Sequence, residues 1–112
     1  MAISSAGLNV MATAIAGAVT HVGLVDETGT ELTGGGYARQ AATMTATGAE
    51  ARLTADETFD VPAGETVAGW RAFSASTAGT NYGGGDLTPE TYTGAGQHVL
   101  EADTGFDVSA SA

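Results

Sequence analysis

The chain contains no lysine and no cysteine, and only three arginines, Arg39, Arg52 and Arg71, stand against 13 aspartates and glutamates. Without cysteine there are no disulfides, no thiolate metal sites and no thiol nucleophile. Without a basic patch, nucleic-acid binding by phosphate neutralisation is excluded, and attachment to anionic lipid is disfavoured. Aromatic residues are scarce, with three Phe, three Tyr and one Trp, and only two prolines occur. Long hydrophobic runs are missing as well. Met1 to Ala18 is mildly apolar, but it lacks the positive n-region of a signal peptide. Gly, Ser and Asn interrupt it too often for a membrane span. The expectation is a soluble chain that leaves a cell, if at all, on a particle.

Alanine, threonine and glycine dominate what is present. A chain of 112 residues suits one domain, and such a domain hides roughly two-thirds of its unfolded surface. Small side chains fill only a thin core, and a thin core leans on partner subunits, so an oligomer is expected. The formal charge is −10. Self-repulsion at that charge keeps particles apart but stresses the fold. High salt relieves the stress, because the Debye length falls to about 3 Å at 1 M. The composition therefore fits a high-salt environment. A GC-rich genome, favouring Ala, Gly and Asp codons over Lys, accounts for it equally.

Residues 4–17 read as a short helix. Ser4 or Ser5 can cap it, Leu8, Met11, Ala12 and Ile15 share one face, and Gly17 can end it. The alternative is an extended arm that orders only against a neighbour, because isolated helices this short are marginal in water. From Val19 the character turns to β. Strands are expected over Val19 to Val25, Tyr37 to Ala46, Leu53 to Val61, Thr66 to Ser74, Leu87 to Thr93, Gln97 to Asp103 and Phe106 to Ser109. Turn chemistry separates them at Asp26–Gly29, Thr47–Glu50, Pro62–Glu65 and Gly94–Gly96, with a long Gly-rich turn over Ala78 to Gly85. Pro89 marks its strand as an edge. Large apolar residues on both faces of Thr66 to Ser74 imply that both faces are covered. About seven strands at this spacing predict an antiparallel β-sandwich, of jelly-roll or immunoglobulin-like type, over residues 19–112, with residues 1–18 as helix or docking arm.

Reactive constellations are weak. His21 and His98 each sit inside a predicted strand; two hydrogen-bonded or solvent-facing histidines are a better reading than a metal pair. Asp26, Glu27 and Glu31 crowd one turn, and Asp56, Glu57 and Asp60 another, yet neither follows the spacing of a calcium loop. Solvated acidic faces account for both. No serine lies in a Gly-x-Ser-x-Gly elbow. Gly34–Gly36 and Gly83–Gly85 are not phosphate loops, since no Lys follows either. No catalytic residue, metal site or cofactor is expected. The residues to inspect are Tyr37, Arg39 and Trp70, with Leu8, Met11 and Ile15 on the helix face. Arg39, one of few cations among many acids, should find a carboxylate and fix the glycine loop. Trp70 can anchor a core or an interface.

Three segments carry a resemblance: Gly34-Gly35-Gly36-Tyr37-Ala38-Arg39-Gln40-Ala41, then Thr58-Phe59-Asp60-Val61-Pro62-Ala63-Gly64, then Val67 to Phe73 with Trp70. Together with Thr20-His21-Val22-Gly23-Leu24 ahead of them and Gly83 to Leu87 behind, their order resembles small accessory virion proteins of tailed viruses, of tail-fibre, minor-tail or capsid-decoration type. The resemblance spans about residues 19–108. It implies a non-enzymatic virion structural role and brings no enzymatic residues with it. It implies other capsid or tail proteins as partners, a homo-oligomer such as a trimer or pentamer, and neither nucleic acid nor membrane. The apolar N-terminal segment departs from many relatives and suggests a docking element. The acidity suggests a virus of a salt-loving archaeal host, or an actinobacterial phage by the codon argument. A receptor- or glycan-binding module using Tyr37, Tyr82 or Tyr92 is the second reading, and a small hydrolase or metal enzyme the third.

The charge balance makes stability salt-dependent. Raising NaCl from about 0.1 M to about 2 M is expected to lift the thermal unfolding midpoint by roughly 5 °C or more. A midpoint that does not move would reject the self-repulsion argument.

Overall fold

The computed structural model describes residues 4–108. It is mainly β and sandwich-like: three antiparallel sheets enclose one core, and one helix closes it.

The helix, α1, runs Ser5–Ala18. The Ser4 side chain accepts a hydrogen bond from the Gly7 N–H at 3.2 Å, satisfying a backbone donor that the first turn leaves free. Ala12 is fully buried, and Ile15 and Ala16 pack against the core. The segment is thus a helix rather than an arm, and it rests on its own chain. Gly17 does not end it. The Val19 N–H still bonds the Ile15 carbonyl at 3.1 Å, and the Thr20 N–H then goes to the Phe73 carbonyl at 3.0 Å. Sheet pairing, not a glycine cap, stops the helix.

The strands are β1 His21–Val25, β2 Gln40–Ala41, β3 Met44–Thr47, β4 Glu50–Leu53, β5 Glu57–Val61, β6 Thr66–Phe73, β7 Asn81–Thr91, β8 Gly96–Leu100 and β9 Gly105–Asp107. The largest sheet has the order β2-β1-β6-β7, the second β3-β4-β9, and the third β5-β8. β1 lies inside the first sheet with Leu24 opposite Trp70 and His21 opposite Phe73. Four of its five residues are buried, as befits a central strand covered on both faces. β3 and β4 form a hairpin around Gly48 and Ala49, and α1 lies across this pair. Pro89 sits in β7, at the edge of its sheet, where no ladder donor is required of it.

Nine strands replace the expected seven because two expected strands divide, and a third is longer than expected. Tyr37 to Ala46 does not run as one strand: Tyr37 to Arg39 lie outside any strand, and the remainder divides into β2 and β3 in different sheets. Leu53 to Val61 also breaks. Asp56 accepts the Ala102 N–H at 2.8 Å, and the chain passes there from the second sheet to the third. Finally, Ala78 to Gly85 is not one long turn. Gly83 to Gly85 pair with Trp70 to Ala72 inside β7, and Gly84 approaches the Trp70 carbonyl so closely that no Cβ would fit.

The core collects Leu24, Val22, Leu53, Phe59, Val61, Val67 and Leu100, all with less than 2% of their surface exposed. Trp70 belongs to it and packs against Phe106 at 5.2 Å between ring centroids, joining the first sheet to the second. The molecule measures 47 × 25 × 23 Å, with a radius of gyration of 14.7 Å. A compact chain of this length would give about 13 Å, so the molecule is elongated rather than spherical.

Truncating Phe59 to Ala should destabilise the domain by about 3–5 kcal/mol in denaturant unfolding. Val10→Ala, on the outward face of α1, should change stability by less than about 0.5 kcal/mol. Equal losses at the two positions would contradict this orientation of the helix.

Candidate functional site

The site of densest side-chain bonding is built from the glycine-rich segment. Gly34, Gly35 and Gly36 have φ of +82°, +60° and +86°, and together they reverse the chain. The reversal aims Tyr37 and Arg39 back at Glu31. The Arg39 guanidinium donates from Nε to Glu31 Oε2 at 2.9 Å and from Nη2 to Glu31 Oε1 at 2.9 Å, a two-pronged pair. The Tyr37 hydroxyl donates to Glu31 Oε2 at 2.8 Å and accepts the Leu24 N–H at 2.9 Å. Arg39 is only 11% exposed. Its Nη1 donates to the carbonyls of Ala75 at 3.1 Å and Ala78 at 2.8 Å, tying down the loop between β6 and β7. Its charge lies 3.5 Å from the centre of the Phe73 ring, a cation–π contact.

Every quoted sequence segment from Thr20 to Phe73 contributes to this clasp. Gly23 of β1 leaves the space the clasp fills: a Cβ there would stand 2.7 Å from the Tyr37 hydroxyl and 2.8 Å from Glu31 Oε2. Phe59 of β5 stacks on Tyr37 with centroids 6.2 Å apart. Gly35 lies against Pro62, where a Cβ would come within 2.7 Å of the proline ring. Phe73 closes β6 beneath Arg39. An open hollow of about 380 Å³ borders the clasp, with Thr33, Ser76 and Thr77 on its rim.

The electrostatics lock the protonation states. Burial is the largest single influence on Glu31 and pushes its pKa up, but the bonds from Arg39 and Tyr37 and the Arg39 charge outweigh it, leaving the carboxyl below its ordinary value. Burial, and then the bond to the Glu31 carboxylate, raise the Tyr37 phenol well above its ordinary value. The Glu31 bond raises Arg39 further. The carboxylate and guanidinium therefore stay charged, and the phenol stays protonated and neutral, throughout the neutral range. Such a set fixes geometry and exchanges no proton near pH 7.

The other residues singled out in the sequence lie apart. Trp70 is in the core. On α1, Ile15 packs inward, Leu8 is half-buried, and Met11 is 44% exposed. His21 bonds Thr20 in the first sheet, whereas His98 is in the third, with Nδ1 3.1 Å from the Tyr92 hydroxyl and 3.3 Å from Glu90 Oε1. Burial and the neighbouring Glu90 push the Tyr92 phenol to about 12. The acidic turns do not gather into a cation site. Asp26 accepts from the backbone N–H groups of Thr28 and Thr30, Glu31 is taken by the clasp, and Asp60 accepts from Gln97. Among the described residues no three His, Asp or Glu side chains stand as a metal-ion set.

Sequence reasoning grouped Glu31 with the wrong neighbours, as one of an acidic turn. A usable signal existed: a carboxylate and an arginine eight residues apart across a glycine reversal can face each other. Phe73 and Gly23 gave no signal, because their roles arise from pairing between β1 and β6. No family model, no curated protein and no solved structure matches the chain.

Breaking the clasp should be costly. Glu31→Gln leaves the Arg39 charge without its partner and should destabilise the domain by about 2–4 kcal/mol at pH 7. Because the Glu31 pKa is lowered in the folded state, its contribution is complete above the unfolded value near 4.5 and is lost as pH falls through the folded value. Wild-type stability should therefore fall more steeply on acidification below pH 4.5 than that of Glu31→Gln. Parallel pH profiles in urea unfolding would show that Glu31 is not the group responsible.

Proposed function

We propose that this chain is a non-enzymatic structural subunit on the surface of a tailed-virus particle, a capsid decoration or turret, or a tail-fibre or baseplate component. The supporting observation is the convergence of the resembling segments on one clasp. Gly23, Gly35 to Arg39, Phe59, Pro62 and Phe73 touch one another or a common partner. Residues that hold one another in this way define a fold. A likeness carried by them is a likeness of fold, and it supports the virion role by analogy only. The mechanism is burial of apolar surface at subunit contacts while the acidic exterior stays hydrated, which suits a particle suspended in concentrated salt.

A receptor- or glycan-binding module would present aromatic rings to solvent. Tyr37, Tyr82 and Tyr92 are instead half-buried and packed against the core. The structural role is preferred for that reason. Removing residues 1–18 is not a clean test of docking, because α1 covers β3 and β4.

Immunogold labelling of intact particles, with an antibody raised against this chain, tests the proposal. Label is expected on every particle, at the head for a decoration or turret and at the tail for a fibre or baseplate subunit. Particles that carry no label, alongside antigen in the unassembled fraction, would overturn it.

A further inference from the structure

We infer that Arg71 anchors a binding site for a small zwitterion, a ligand made of a carboxylate, a short aliphatic body and an ammonium group. The three arginines of the chain are used differently. Arg39 holds Glu31 through its Nε and Nη2 atoms, and Arg52 pairs with Glu50 and Asp107. Among the described residues, no carboxylate oxygen lies within 4.0 Å of the Arg71 guanidinium. In a chain with 13 acids, a guanidinium without a carboxylate is the exception.

Strand pairing presents this group to solvent. Arg71 stands opposite Gly23 of β1 and Gly84 of β7, so the two directly facing positions carry no side chain. Its Nη1 donates to the Trp70 carbonyl at 2.7 Å and to the Gly85 carbonyl at 3.5 Å, which fixes one corner of the guanidinium. Nε and Nη2 form the edge with which Arg39 grips Glu31. In Arg71 that edge donates to none of the described residues. The group lines a cleft of about 330 Å³ between the Asp26–Gly29 turn and β7. A planar fork with two parallel N–H groups matches a carboxylate.

The walls decide what that carboxylate must be attached to. Asp26, Glu27 and Asp86 share the cleft with Arg71 and leave it two negative charges in excess. Asp86 pairs with Gly69, so it lies diagonal to Arg71 on the same face of the sheet, roughly 7–8 Å away. A bare anion on Arg71 is repelled by these acids, and a doubly charged phosphate is repelled most. A ligand that sets an ammonium group against them turns the repulsion into attraction. Val25, Ala68, Leu87 and Pro89 supply apolar wall, which suits methylene groups between the two charges. The cleft is shallow and the ligand small, so binding is in the millimolar range. The site belongs to the free chain and does not depend on where the protein sits in a virion.

Nuclear magnetic resonance titration of the full, isotope-labelled chain at about 0.1 M NaCl reads binding from the Arg71 Nε–H signal. The probe ε-aminocaproate is expected to give saturable shifts there and at the backbone amides of Asp86 and Leu87. Acetate and methylammonium, the two halves of that probe, should each bind at least about tenfold more weakly, and inorganic phosphate no better than acetate. Arg71→Gln should weaken ε-aminocaproate at least about tenfold. Glu27→Gln and Asp86→Asn, both at exposed positions, should each weaken it about two- to fivefold without weakening acetate. These two variants keep the test decisive if Arg71→Gln fails to fold. Shifts that do not saturate by about 50 mM would overturn the proposal. So would acetate or phosphate binding as tightly as ε-aminocaproate, full binding by Arg71→Gln, or undiminished affinity in both acid variants.

Discussion

The Glu31–Arg39 ion pair is the interaction on which the arrangement of the first sheet depends. It is two-pronged, lies over an aromatic ring and is largely withdrawn from solvent. Pairs of this kind contribute little net stability compared with an apolar replacement, but removing one partner strands the other charge. Their value is geometric. Here one guanidinium holds the glycine reversal, the carbonyls of the loop after β6, and through Glu31 the Tyr37 hydroxyl that bonds β1. Lysine could not substitute, since an ammonium lacks the planar fork.

The clasp also explains how a chain poor in aromatics holds its shape. The Phe59, Phe73, Tyr37 and Trp70 rings all lie in or beside the first sheet or on its packing partners, and Trp70 reaches Phe106 of the second. Small residues fill the rest, and the molecule is elongated. The acids then occupy loops and strand exteriors; Asp26 and Asp56 accept backbone hydrogens, and Asp60 accepts the Gln97 amide across the β5–β8 pair. Negative charge thus serves hydration outside and, at Asp26, turn geometry.

Much of the fold was legible in the sequence. Helical spacing and Ser4 located α1, β-branched residues located β1, apolar residues of both parities marked β6 as covered on both faces, and Pro89 identified an edge. The errors arose where a local signal met a distant partner. Glycines 83 to 85 read as a turn because their backbone pairing leaves no trace in side-chain pattern; β6 supplies the ladder that makes them a strand. Leu53 to Val61 kept its alternation across a break, because parity cannot register a change of sheet. Gly17 read as a stop, but the stop was the hydrogen bond from Thr20 to Phe73. At the site, Tyr37 and Arg39 were visible as an aromatic and a rare cation beside a glycine reversal. Glu31 was visible only as an acid.

By itself, the sequence determined that the protein would be a small, mainly β, strongly acidic domain whose thin core comes from small side chains. Composition and periodicity are local properties, and burial and charge repulsion act on them directly. Tertiary structure decided which residues meet: Glu31 with Arg39, Phe73 beneath it, Gly23 giving way to the Tyr37 hydroxyl, and α1 laid over β3 and β4. These contacts join positions up to tens of residues apart. They come into being only when antiparallel pairing sets the register of β1 against β6 and packs the sheets together.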